Sequence, residues 1–270
     1  FIHAPVHYLK GNLSILKGYL IKIPDYTVMK KLDNSLNFFF DFFGDRRIHE
    51  MYKGIYHPHV VNCLKKYLKK GDIFIDVGAN IGYLTMLGAG YVGKSGKVHC
   101  FEPVPIYFNL LSKSAKMNKE YNFILNNCAI GDSPGVADIK ISNLSNIGWN
   151  TMVPVFDIEP SKIKEIIKVN VIRLDDYIFE SRLEEVALIK IDVEGFEFNA
   201  LRGLIKFFKK NKDNLPLLIV EVMPSIAYEL KDLESFMLKH NYRAYDIITE
   251  CPIDLKQLPT TTDVLFKPIK

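Results

Sequence analysis

Two short runs hold most of the side chains that could do chemistry. DVGANIG, residues 76–82, puts an acid, two glycines and an asparagine directly behind the apolar DIFI, and LIKIDVEGFE, residues 188–197, sets a lysine inside a β-rich run that ends in carboxylates. In an open parallel sheet, ligands bind beyond the carboxyl ends of the strands, and the first strand-to-helix turn is the usual contact. Gly78 and Gly82 allow backbone angles and close approaches that a Cβ would block, and the helix after them is expected to present unpaired amides. A dinucleotide fingerprint reads Gly-x-Gly-x-x-Gly; here Asn80 holds the second glycine position and Gly82 comes one residue too early for the third. That loop serves a pyrophosphate poorly. A phosphate-free nucleoside bearing a carboxylate, such as S-adenosylmethionine, suits a Gly78-Ala79-Asn80 turn preceded by Asp76, whose own carboxylate is expected to face the ligand's ammonium, directly or through water.

The following strands supply further candidates. KVHCFEP ends in Glu102, about 26 residues after Asp76, in keeping with the roughly twenty-residue separation at which an acid grips ribose hydroxyls. NNCAIGD puts Asn127 and Ala129 where an adenine edge would lie, with plain strand termination as the alternative. Strand alternation sets Leu188, Lys190 and Asp192 on one side and Ile189, Ile191 and Val193 on the other. A lysine in such a run needs a carboxylate for its ammonium, and Asp192 is expected to share a crevice with Gly78 and Glu102. Glu194 and Glu197 follow across the next turn and Glu221 closes IVEV, so several carboxylates are expected at the crevice mouth.

These residues require an α/β scaffold. From about residue 70, β-rich runs alternate with amphipathic helical stretches, which predicts roughly seven strands in a mostly parallel sheet wrapped by helices, the last two strands closing antiparallel. Residues 1–70 read as an N-terminal helical cap, with LNFFFDFFG as a packing face; residues 71–270 read as the main domain. Within the latter, 132–172 read as an insertion near the substrate side, holding two strand-like pieces around NLSNIGWNTM. Trp149, the one tryptophan, lies there, with ordinary packing or stacking on a sugar ring as its two readings. His57 and His59 flank a proline in IYHPH and, like His49 upstream, read as loop residues.

Composition narrows the class. The 270 residues are 48% hydrophobic and 24% charged, ordinary for one globular domain, and a net charge of +4 with scattered lysines does not call for a nucleic-acid partner. Cys63, Cys100, Cys128 and Cys251 lie far apart with no Cys-x-x-Cys pair, which signals neither a zinc knuckle nor a disulfide framework and makes a reducing cytoplasm the default. No apolar run reaches the ~18 to 20 residues of a membrane span. The sequence opens at Phe1, so a trimmed leader would be invisible.

With these residues in hand, the chain resembles the FkbM family of S-adenosylmethionine-dependent methyltransferases. The matching pieces are GDIFIDVGANIGYLT, FEPVP, NCAIGD, RLDDY, IKIDVEGFE and the terminal DVLF, in order over about residues 71–266. The resemblance implies a class I, Rossmann-like methyltransferase fold with a seven-stranded sheet, S-adenosylmethionine as cofactor, and O-methylation of a sugar, glycan or natural-product hydroxyl. It carries Asp76, Gly78, Asn80 and Gly82 to the methionine part, Glu102 to ribose and Asp192 to the crevice; residues 1–48 offer little to match. Methyl transfer to a hydroxyl needs alignment and a proton acceptor. Asp192 or Glu194 is expected to take the proton, with Lys190 organising the carboxylates or the incoming oxygen. A variant has Asp192, Glu194 and Glu221 holding a divalent cation; Glu221 and Trp149 are the candidate acceptor contacts. Among rivals, a nicotinamide dehydrogenase conflicts with the loop spacing and a nucleic-acid amino-methyltransferase lacks its Asp/Asn-Pro-Pro-aromatic run; a non-catalytic nucleoside-binding module remains open.

Overall fold

The computed structural model describes residues 27–41, 46–142, 163–224 and 229–269. Trp149 and its polar surroundings lie outside them. Seven strands form the main sheet: β3 (Ile73–Val77), β4 (Lys97–Phe101), β5 (Asn122–Asn126), β9 (Val186–Ile191), β10 (Leu217–Val222), β11 (Tyr242–Asp246) and β12 (Thr262–Pro268), in the spatial order β11-β12-β10-β9-β3-β4-β5. Only β12 runs against its neighbours; the inner pairs are parallel, as expected of short apolar strands joined by helices long enough to cross over. The chain steps one way from β3 to β5 and the other way to β9 and β10. The switch point, and the crevice it opens, therefore lies between β3 and β9 at their carboxyl ends. This is the seven-stranded class I arrangement that the resemblance implies.

Apolar layers cover both faces. On one, α3 (Tyr83–Val92) and α4 (Pro105–Lys116) pack on β3 and β4 through Phe74, Leu87 and Leu111. On the other, α5 (Leu174–Glu180), α6 (Glu197–Arg202), α7 (Ile205–Lys210) and α8 (Leu230–Lys239) enclose Ile189, Phe207, Phe208 and Val220. The RLDDY motif is an anchor in this layer. Asp175, fully buried, accepts two hydrogen bonds from the Arg173 guanidinium, at 3.0 and 2.7 Å, and one from the Lys206 amide at 3.0 Å.

Of the expected helical cap over residues 1–70, residues 1–26 and 42–45 lie outside the described residues, and the rest is part helix and part strand. Helices α1 (Arg46–Lys53) and α2 (Pro58–Tyr67) are present, but Thr27–Lys31 (β1) and Asn37–Asp41 (β2) form an antiparallel hairpin instead. Its phenylalanines alternate: Phe38 and Phe40 are wholly buried beneath the hairpin while Phe39 is partly exposed, and burying two such rings stabilises by about 1.5–3 kcal/mol each. The Asn118 side chain acts as a third strand, accepting from the Asn37 amide and donating to its carbonyl, both at 2.8 Å. The Asn34 side chain donates to the Met86 carbonyl at 2.9 Å. The N-terminal hairpin thus shares one core with the sheet.

The 132–172 stretch does contain two strands, β7 (Gly135–Ser142) and β8 (Ile163–Ile172), which pair antiparallel. The run FILNNCAIG divides: β5 ends at Asn126, and β6 (Ala129–Ile130) joins β8 in a separate three-stranded sheet. Among the described residues no helix is long and apolar enough to cross a membrane.

Candidate active site

The chain leaves β3 at Val77 and must turn at once, because the end of β9 lies against it. Gly78 has φ +77°, and a Cβ there would sit 1.8 Å from the Asp192 carbonyl oxygen. Gly82, φ +93°, starts α3 and lies so close to Leu111 that a Cβ would meet it at 2.4 Å. Gly78→Ala is therefore expected to lower the unfolding free energy by at least ~1–3 kcal/mol, the range for one strained residue, with the overlap added; denaturant unfolding checks it, and an unchanged midpoint would show that the loop has slack.

The amides of this loop are occupied. Gly78 and Ala79 both donate to the Phe101 carbonyl at 3.0 Å, Asn80 donates to Glu102 Oε2 at 2.8 Å, Ile81 to the Asn80 side chain and Gly82 to the Ala79 carbonyl. Asn80, in the left-handed region at φ 53°, turns the chain so that these bonds close. What the loop offers a ligand is apolar surface and the carboxylate of Glu102. Glu102 is 4% exposed, and its Oε1 accepts from the Val104 amide. Burial pushes its carboxyl up to about 7, against the pull of those two amides.

An open cleft runs from this loop to the end of β9, lined on the way by Gly78, Asn80, Glu102, Ala129, Asp192 and Glu194. Lys190 is the keystone beneath it. Its ammonium lies 3.4 Å from Asp76 and 3.3 Å from Asp192 and donates to the Gly78 carbonyl at 2.9 Å. Burial alone would lower its pKa, but Asp192 and Asp76 outweigh burial and hold it above the usual lysine range. The lysine's expected carboxylate partner is thus present twice.

Asp76 does not face the cleft as expected. It is wholly buried behind Lys190, with Oδ2 accepting from Thr85 at 2.6 Å, because strand alternation turns it beneath the loop rather than out of it. Asn127 is likewise displaced from the ligand side: its amide braces the Glu102 and Pro103 carbonyls at 2.8 and 3.1 Å, leaving Cys128, Ala129 and Ile130 to line the cleft. Glu197 turns inward and accepts from the amides of Val193 and Gly195 at 3.0 and 2.9 Å. Glu221 is not among the lining residues; its Oε2 is buried without a hydrogen-bond partner, and burial, then Asp192, Glu194 and Glu197, push its carboxyl far up. Asp192, Glu194 and Glu221 do not bring three oxygens together as a cation set among the described residues.

Glu194 does stand at the cleft. Its backbone is left-handed at φ 54°, and Arg47 approaches its carboxylate at 3.8 Å. Burial, then Asp192, raise its pKa well above the carboxylate range, with Arg47 opposing. Arg47 and Tyr56, both lining the cleft, were not legible as site residues. They come from the segment before the sheet, and only long-range folding brings them to β9. His57 and His59 both meet Asp263 of β12, at 3.2 and 2.6 Å.

A model of the methyltransferase FkbM domain matches residues 76–244. Among curated proteins, the chain is 31% identical over 160 residues to 31-O-demethyl-FK506 methyltransferase FkbM of Streptomyces tacrolimicus, covering 51% of this chain and 61% of that one. It is 26% identical over 186 residues to methyltransferase sdnD of Sordaria araneosa, covering 57% of this chain and 68% of that protein. The solved structure of an S-adenosylmethionine-dependent methyltransferase from Agrobacterium tumefaciens aligns with 89% of this chain and 68% of its own at 12% identity, with a TM-score of 0.47.

Proposed function

This chain belongs to the FkbM methyltransferase family, and from that premise we propose that it uses S-adenosylmethionine to O-methylate a hydroxyl of a sugar, glycan or natural-product scaffold. The observation that carries the reading is the chemistry of the cleft. The loop's own amides are bonded within the protein, which serves a pyrophosphate poorly, whereas the buried Glu102 carboxylate and an apolar wall suit a cationic ligand with a vicinal diol. When bound, S-adenosylmethionine supplies an electrophilic methyl group on a sulfonium.

The chain's own residues then have separable tasks. Glu102 accepts from ribose hydroxyls, having free lone pairs beyond the two that the Asn80 and Val104 amides use. Lys190, screened from water, fixes Asp192 and the Gly78 carbonyl in place. Glu194 takes the acceptor's proton, since a carboxyl with a raised pKa is a stronger base than one paired to an ammonium; Asp192 is the second candidate. The acceptor enters on the side of Arg47 and Tyr56.

Titration calorimetry tests the cofactor half. S-adenosylhomocysteine is expected to bind and NAD to give no heat, and Glu102→Ala is expected to weaken S-adenosylhomocysteine binding by ten- to a hundredfold, one lost charge-assisted bond being worth about 1.5–3 kcal/mol. Full affinity in Glu102→Ala would move the ribose elsewhere. Labelled methyl incorporation across a panel of hydroxylated acceptors tests the other half; binding without any incorporation would favour the nucleoside-binding module.

A further inference from the structure

Away from the cleft lining, the first turn of α2 and the start of β12 bring three metal-ligand atoms together. His57 Nδ1 and His59 Nε2 both point at one oxygen of Asp263, at 3.2 and 2.6 Å, and all three ligand atoms lie within 4.8 Å of one another. Ligands held ~2.0–2.1 Å from a tetrahedral Zn²⁺ are separated by about 3.3 Å, so a modest closing of these three atoms would seat an ion between them. The two imidazoles are partly exposed and Asp263 is buried, which gives an entry path on one side and a dry anchor on the other.

A further carboxylate lies on the same face of the sheet as Asp263. Glu221 is the register partner of Asp263 across the β10–β12 ladder, so its side chain shares that face of the sheet. Its Oε2 is buried with no hydrogen-bond partner.

We infer that His57, His59 and Asp263 form a Zn²⁺ site that fastens the turn carrying Tyr56 to strand β12. His-His-carboxylate is a common zinc donor set, with a fourth position left for water or a further carboxylate. The site joins positions 206 residues apart in sequence. Tyr56 lies immediately before it, with its ring centroid 4.3 Å from that of His57, so the ion would hold one wall of the cleft without touching what binds there. The inference does not depend on the identity of the cleft's ligand.

The full chain, stripped of metal by chelation and dialysis, is titrated with Zn²⁺ and, separately, Co²⁺. One equivalent is expected to bind, to raise the melting temperature by several degrees, and to give the visible absorption of a tetrahedral Co²⁺ site without a thiolate charge-transfer band in the near ultraviolet. His57→Asn and His59→Asn, each folded by circular dichroism, are expected to lose at least tenfold in Zn²⁺ affinity. No zinc-dependent stabilisation of the unaltered chain overturns the site, as does a thiolate band or stabilisation that survives in both variants. The unaltered chain decides the matter even if the variants fail to fold.

Discussion

Lys190→Met is expected to destabilise the protein by about 3–5 kcal/mol, the usual cost of removing one partner from a buried charge cluster. Methionine fills nearly the same volume, so the loss is electrostatic rather than a cavity effect. Without the ammonium, the wholly buried Asp76 keeps only Thr85 as a partner for Oδ2, its Oδ1 has no hydrogen bond, and the Gly78 carbonyl loses its donor. Chemical denaturation of the variant measures the loss. Adding Asp76→Asn to Lys190→Met is expected to restore a large part of it, because the second change removes the stranded charge; if Lys190→Met costs under 1 kcal/mol, the lysine is not the keystone of this site.

Glu194→Gln is expected to lower kcat by ~10²- to 10⁴-fold, the range for losing a general base, while the KM for S-adenosylmethionine changes little. The pH profile distinguishes this from a structural loss. Burial, then Asp192, raise the Glu194 pKa, and Arg47 partly offsets them. A base works only when deprotonated, so activity falls as pH drops through the raised value. The acidic limb of kcat should therefore lie above the ordinary glutamate position near ~4.3, and it should disappear in Glu194→Gln. Arg47→Gln should move the limb to higher pH, since the guanidinium is what lowers that pKa. An acidic limb that persists unchanged in Glu194→Gln assigns the proton to another group, Asp192 first.

Local rules made much of the scaffold legible and left the cross-chain contacts hidden. The strands around the switch point could be read because each is short, apolar and followed by a helix. The partner of Lys190 could be read because a lysine in an apolar strand has few physical options. The hairpin over Asn37–Asp41 could not, because a run of phenylalanines masks the period of two that burial of Phe38 and Phe40 imposes. Asp76 was placed at the right strand end but on the wrong side of the loop. Its register partner across the ladder is Lys190 of β9, and that cross-strand pairing is not written in the motif that carries Asp76. Arg47 and Tyr56 reach the cleft from outside the matched motifs, through contacts whose sequence separation no local pattern encodes.

The N-terminal hairpin and the two helices after it lie before residue 76, where the family match begins, yet Phe38, Phe40, Ile48 and Leu64 sit in the same apolar cluster as Phe74 and Leu111. A fragment cut at the family boundary would carry a bare greasy flank over α3 and α4 and lose the Arg47 and Tyr56 side of its cleft. The smallest unit that could be grafted into another protein, or shuffled between relatives to alter what they accept, therefore starts well upstream of the motifs by which the family is recognised.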